Sequence, residues 1–289
     1  MFELPLILVT GADGQLGYDT AALAQEDGFQ IVALSHAGLD ICDPAAVAAA
    51  LAEHRPAYVV NAVAGFDDGN LAVNSTGAAV LAQACADAGI ALVQVSCAEV
   101  FDGLDEAPYS EEYHPAPVSA YGSSKAAGEE AVRAVLPRHV ILRTGWLFSA
   151  RGDNIVRQLL EQARRQEEVE VCDLLMGSPT ATMDLARVVL AIIKQLDSGS
   201  EGWGTYHYAG GEPISWFGFC EAVIAAARQY EDLRLERLLP VQRAPAGWRA
   251  MPLNTQLDCS RIRGTFGVHQ RTWRTGLMQA MRTLHAWDS

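Results

Sequence analysis

A short apolar run, Leu6-Ile7-Leu8-Val9-Thr10, passes directly into Gly11-Ala12-Asp13-Gly14-Gln15-Leu16-Gly17 and then into a helical pattern from Tyr18 to Glu26. The run is partly β-branched, as a buried strand is, and glycine at every third position marks a tight strand-to-helix turn. In such a turn Gly11 permits the reversal, Gly14 lets backbone N–H groups approach a pyrophosphate, and Gly17 lets the helix pack closely on the strand. The unpaired N–H groups at the helix start, with the positive end of its dipole, then face the phosphates. A chain with this segment is expected to alternate strands and helices and to bind a dinucleotide, the other reading being a purely structural glycine turn.

The alternation continues. Ile7–Thr10, Gln30–Leu34, Tyr58–Val63, Ala91–Ser96 and Val140–Thr144 read as strands, with helices over Pro44–His54, Leu71–Gly89 and Ser119–Val135 between them. Right-handed crossovers make this an α/β fold with a doubly wound parallel sheet of the Rossmann kind. Ligands of such sheets sit beyond the carboxyl ends of the strands, where the glycine turn, Asn61–Gly65 and Ser96-Cys97 all fall. After residue 150 the rhythm loosens, punctuated by Gly152-Asp153-Asn154, Gly177-Ser178-Pro179-Thr180, Gly210-Gly211-Glu212-Pro213 and Pro245-Ala246-Gly247. Thr205–Ala209 and Glu236–Leu239 read as strands and Trp216–Tyr230 as a helix. The division expected is a dinucleotide-binding domain over 1–150 and, over 151–289, mainly a smaller substrate-binding lobe interleaved with the sheet domain.

Composition narrows the partners. A net charge of −14 over 289 residues, without a Lys/Arg cluster, argues against nucleic acid and anionic membranes. No segment has the length of a membrane span, and the first residues lack the pattern of a signal peptide, so a cytoplasmic location is expected. The six cysteines form no C-x-x-C pair and read as reduced thiols. No ligand cluster supports a metal. A homo-oligomer is compatible with all of this.

Tyr121-Gly122-Ser123-Ser124-Lys125 carries the chemistry. Four residues are about one helical turn, so a phenol and an ammonium share one face. A cation stabilises phenolate, and a phenol so tuned exchanges a proton with a carbonyl or alcohol oxygen near neutral pH. Taken alone, the spacing also fits packing or a solvated face. With the glycine turn, Asn61-Ala62-x-Ala64 and Val95-Ser96-Cys97-Ala98-Glu99-Val100-Phe101-Asp102-Gly103, however, it resembles the extended short-chain dehydrogenase/reductases. Leu39-Asp40-Ile41-Cys42-Asp43, Arg143-Thr144-Gly145-Trp146-Leu147-Phe148, Gly177-Ser178-Pro179-Thr180 and Asn254-x-x-Leu257-Asp258 narrow the resemblance to the dTDP-4-dehydrorhamnose reductase branch. The pattern is shared by the regulatory β subunit of methionine adenosyltransferase.

The resemblance implies a function and a site. The activity would be NAD(P)H-dependent reduction of a 4-keto-6-deoxy nucleotide sugar. The alternatives are an NAD(P)-binding regulatory or sensor protein with weak or no turnover and, less well matched, a nucleotide-sugar epimerase or dehydratase. Gly11, Gly14, Gln15, Leu16 and Gly17 would cradle the pyrophosphate, Asp40 and Ile41 flank the adenine, and Ala62, Val63 and Ala64 line the ribose and nicotinamide side. Tyr121 would be the general acid, Lys125 would tune it and hold the ribose hydroxyls, and position 97 would hold a third catalytic group. Cys97, Glu99 and Trp146 would meet the substrate, with Asn74 nearby. Asp40 reads equally as a helix cap before Pro44, and Trp146 also as a core aromatic. Ser35-His36 stands where a NAD-selective site would carry Asp or Glu, which favours NADPH or dual use.

The chain departs from the family at its centre. Ser96-Cys97-Ala98-Glu99 replaces Ser-Thr-Asp-Tyr, exchanging a hydroxyl donor for the weaker thiol. The loop after Gly65 is short. Cys97 has a second reading as a nucleophilic or redox thiol activated by Lys125.

Overall fold

Alternate residues along each central strand face opposite sides, and here both sides are apolar because helices cover both. In a computed structural model that describes residues 4–67, 69–243 and 250–287, strand β1 (Leu6–Thr10) leads through the glycine turn into α1 (Gln15–Glu26), followed by β2 (Gln30–Leu34), α2 (Pro44–His54) and β3 (Tyr58–Asn61). Then come α3 (Ala78–Ala88), β4 (Ala91–Cys97), α4 (Ala120–Val135) and β5 (His139–Thr144). Ile7, Val9, Val60, Val93 and Leu142 pack into one cluster with α1, while Leu8, Val59, Leu92 and Ile141 pack into another with α2, α3 and α4.

The next elements are β6 (Leu147–Phe148), α5 (Ile155–Arg165), β7 (Glu168–Cys172), β8 (Met176–Gly177), β9 (Thr180–Ala181), α6 (Thr182–Asp197) and β10 (Gly204–His207). The chain closes with β11 (Ile214–Ser215), α7 (Trp216–Ala227), β12 (Arg237–Val241), α8 (Ser260–Phe266) and α9 (Trp273–Trp287). The sheet order is β10-β5-β4-β3-β1-β2, all parallel. The doubly wound Rossmann-type sheet is therefore observed, with its switch point between β1 and β3. Residues beyond 150 supply the edge strand β10 and the helix α6, whose buried residues join the α1 side of the sheet. A separate apolar cluster gathers α5, α7, α9 and β7, the last paired in parallel with β12. Pro245-Ala246-Gly247 lies outside the described residues.

Local chemistry sets the boundaries. The α2 helix begins at Pro44, as the sequence predicts, because Asp43 Oδ1 accepts from Ala45 N at 2.9 Å and Ala46 N at 3.3 Å. That makes Asp43 the cap. Asp40, read as a candidate cap, instead accepts from Cys42 N at 2.9 Å in a local turn. Pairing of β3 stops at Asn61 rather than Val63, because the Asn61 amide turns inward: Oδ1 accepts from Thr10 Oγ1 at 2.8 Å and from Val63 N at 3.2 Å. The helix expected from Leu71 starts with a wide π turn over Val73–Gly77 before becoming regular at Ala78. Thr182–Asp197, which no sequence expectation covers, forms a helix as long as α4, at 16 residues.

Candidate functional site

The glycine turn lies at the switch point. Gly11 adopts φ +74°, and an added Cβ there would meet Ala62 and Val63 backbone at 3.1 Å; at Gly17 a Cβ would lie 2.1 Å from Gly11 O. Only glycine lets α1 approach this closely. The first-turn N–H groups of Gln15, Leu16 and Gly17 have no preceding helical carbonyl to bond. The Gln15 side chain is engaged elsewhere: its Nε2 donates to Asp153 O at 3.2 Å and its Oε1 accepts from Ser149 Oγ at 3.1 Å, tying the loop before α5 to the turn. Ser35 sits in the turn after β2, its carbonyl accepting from Gly38 N and Leu39 N, and His36 is exposed. Asp40 is exposed too, whereas the Ile41 side chain is buried in the α2/α3 cluster.

At the carboxyl ends of β3 and β4 stand the other candidates. Ser119 caps α4 by accepting from Gly122 N at 2.9 Å, which starts the helix one residue before Tyr121. Lys125 is buried one turn on and donates to Val63 O at 3.2 Å and Val95 O at 3.4 Å. Burial pushes the Lys125 ammonium down from its ordinary value, against the opposing pull of Cys97 and Glu129. The next turn brings Glu129, which accepts from Ser96 Oγ at 2.5 Å and from Arg143 Nη2 at 2.6 Å. Glu99 lies 3.5 Å from Ser119 Oγ, beside the start of α4.

Cys97 is buried, and desolvation pushes its thiol up to about 12 despite Lys125. Burial favours the protonated thiol and so opposes the reading of Cys97 as an activated nucleophile. Its thiolate fraction is about 10³ below that of a free thiol with the ordinary value of 9.0. Alkylation of native Cys97 near neutral pH, followed by mass spectrometry, is therefore expected to be slower than in the unfolded chain by about that factor. Cys85, Cys220 and Cys259 are likewise pushed up to about 12 by burial. Their contribution to stability is complete below about pH 9 and is lost as pH rises towards 12, a decline that unfolding free energies measured across that range would read.

Trp146 follows β5 with φ +45°, a conformation rare outside glycine. Its ring meets Trp216 edge-on at 4.9 Å, and its Nε1 is buried with no hydrogen-bond partner among the described residues. Thr144 Oγ1, on the residue paired with Cys97 across β4 and β5, is a second buried polar atom without a partner among the described residues. Unsatisfied groups of this kind are costly in a folded interior and collect where a ligand completes them. The late Asn254–Asp258 segment braces the site from outside: Asn254 Nδ2 donates to Asp105 O at 2.8 Å, and Asp258 N donates to Tyr109 O at 2.8 Å.

Comparison with known proteins places the chain in a family. The family model described as the RmlD substrate binding domain matches residues 6–286. The chain belongs to that family. It is 35% identical to dTDP-4-keto-6-deoxy-D-glucose reductase of Streptomyces niveus, covering 98% of both chains, and 36% identical to dTDP-4-dehydrorhamnose reductase of Streptomyces griseus, covering 98% of this chain and 95% of the relative. Among solved structures, dTDP-4-dehydrorhamnose reductase of Bacillus anthracis in complex with NADP superposes with a TM-score of 0.88 at 27% identity, covering 97% of this chain and 99% of that one.

The sequence motifs do not describe this RmlD-type site fully. The sequence reading did not single out Phe66, whose ring stacks on Tyr121 with centroids 5.0 Å apart and planes at 22°. Its signal was available as a lone aromatic in the loop after β3. Nor did it assign a role to Thr144, visible only as part of Arg143-Thr144-Gly145-Trp146. Among the described residues no group of three or more His, Cys, Asp or Glu could hold a metal, and no helix is long and apolar enough to cross a membrane.

Proposed function

We propose that this protein is an NAD(P)H-dependent reductase of a 4-keto-6-deoxy nucleotide sugar such as dTDP-4-dehydrorhamnose. The observation that carries the reading is a Tyr/Lys helix face at the open end of a sheet whose switch point holds a dinucleotide turn, in a chain similar throughout to dTDP-sugar reductases. The turn fits a dinucleotide, and the unpartnered Thr144 Oγ1 and Trp146 Nε1 fit a polar ligand beside it. The first-turn N–H groups of Gln15, Leu16 and Gly17 would hold the pyrophosphate, with Ala62 to Ala64 and Lys125 along the nicotinamide side. When bound, the cofactor supplies a hydride to the keto carbon.

The chain's own part is to bind, orient and protonate. Tyr121 gives its hydroxyl proton to the C4 oxygen, so ketone, hydride and proton become a secondary alcohol. Lys125 supports the phenolate that this leaves. Cys97 donates a weak hydrogen bond to the same oxygen, and Glu99 and Trp146 border the sugar. Without an acidic residue after β2 to select the ribose hydroxyls, Ser35 and His36 favour NADPH or dual use. The test is loss of NADPH absorbance on adding dTDP-4-dehydrorhamnose to the purified protein.

The Cys97-Ala98-Glu99 replacement supports a second reading, a dinucleotide-binding regulator with little turnover. Cys97→Thr discriminates, because restoring a full hydroxyl donor is expected to raise kcat by up to about 10²-fold. If cofactor binds while neither form oxidises it, the reductase reading for this substrate is lost.

A further inference from the structure

The residue that covers Tyr121 is built into position. Phe66 is 57% exposed, while the Tyr121 side chain beneath it is 7% exposed. The loop that carries Phe66 is held on both sides. Asn74 Oδ1 accepts from Gly65 N at 3.0 Å, and Asn74 Nδ2 donates to Gly65 O at 2.7 Å. On the other side, Asp67 N donates to Asn70 Oδ1 at 3.0 Å, and Asn70 N donates to Asp67 O at 2.8 Å. The same Asn74 Nδ2 lies 3.0 Å from Ser124 Oγ, which donates to Tyr121 O at 2.7 Å. Loop and helix are thus one bonded unit, and the phenyl ring is set against the phenol by hydrogen bonds on either side of it.

We propose that Phe66 is a specificity residue, its exposed ring forming the wall that receives the C6 methyl of a 6-deoxy sugar and rejects a sugar bearing a 6-hydroxyl. The inference rests on the reductase reading for the placement of the C4 oxygen at the Tyr121 hydroxyl. With the oxygen there, the substituents of C3 and C5 come to the flanks of the phenol. C3 carries a hydroxyl that needs a polar partner, and C5 carries C6. A phenyl ring offers neither donor nor acceptor, so the flank it walls suits the methyl group. An apolar wall of this kind rejects an added hydroxyl by about 10- to 100-fold.

Two sugars that differ only at this position test it: dTDP-6-deoxyglucose and dTDP-glucose, titrated calorimetrically into the protein saturated with NADP⁺. The wild type is expected to bind the 6-deoxy sugar about 10- to 100-fold more tightly. In Phe66→Ala that ratio falls below about threefold, and in Phe66→Leu, which keeps an apolar wall, most of it remains. A wild-type ratio near one, or a ratio unchanged in Phe66→Ala, overturns the proposal. Because the readout is binding, it is independent of turnover. A preserved preference without NADPH oxidation on the 4-keto-6-deoxy sugar would sink the reductase reading and leave the Phe66 assignment standing.

Discussion

Tyr121→Phe is expected to lower kcat for the 4-keto-6-deoxy sugar by about 10²- to 10⁴-fold, the usual worth of a positioned general acid. The phenyl ring keeps the packing, including the stack against Phe66, and removes only the proton donor. The Kd for NADPH should stay within about twofold, because the pyrophosphate cradle lies in the glycine turn and Lys125 keeps its two carbonyl acceptors. Stopped-flow or steady-state NADPH oxidation gives the first quantity, and nucleotide fluorescence titration the second. A variant that retains wild-type kcat would remove Tyr121 from the chemistry. One that loses cofactor binding as well would assign it a structural part.

The largest effect on stability is expected from Glu129→Ala. Glu129 is fully buried, yet it is anionic: burial opposes its charge, but the Arg143 bonds and charge, with Ser96 and Arg133, hold its carboxyl below the usual carboxylate range. Arg143 donates to it from Nε at 2.9 Å and Nη2 at 2.6 Å, and Arg133 Nη1 lies 3.1 Å away. Removing the carboxylate leaves the Arg143 guanidinium buried beside His207, an imidazole that burial and Arg143 push down to about 3 and so keep neutral. Breaking a buried pair from one side costs about 3–5 kcal/mol. That is a large share of the 5–15 kcal/mol that typically holds a domain folded, and a fall in Tm on the order of 10 °C should accompany it. Urea unfolding of wild type and variant gives the difference, and a loss under about 1 kcal/mol would show the network to be compensated by solvent. The sign with pH follows from the depressed pKa: the contribution of Glu129 is complete above its unfolded value and is lost only as pH falls through the lower folded one.

Some of this molecule is written locally. The α2 helix starts where Asp43-Pro44 says it must, because a carboxylate acceptor and a preset φ act within one turn and need no distant partner. The glycine turn is equally local, as is the cap that starts α4 before Tyr121. By contrast, Thr182–Asp197 and Gly204–His207 complete the far face and edge of a sheet whose other strands end at Thr144. The strand at Thr205–Ala209 is legible in the sequence, but no short-range pattern announces that it crosses back to pair with β5 or that a 16-residue helix precedes it.

The candidate site divides along the same line. The candidate chemistry is legible in the linear chain: a glycine turn suited to a dinucleotide, a Tyr/Lys pair on one helix face, and a thiol where the family has a hydroxyl. These are properties of residue type and spacing. That the Cys97 thiol is held protonated by burial is a property of the folded core, since its pKa depends on how much water the surrounding residues exclude. Only the tertiary structure put Phe66 over Tyr121, since that contact joins residues 55 positions apart through the hydrogen bonds of Asn74. Desolvation and side-chain contact are sums over neighbours in space, and a linear pattern does not contain them.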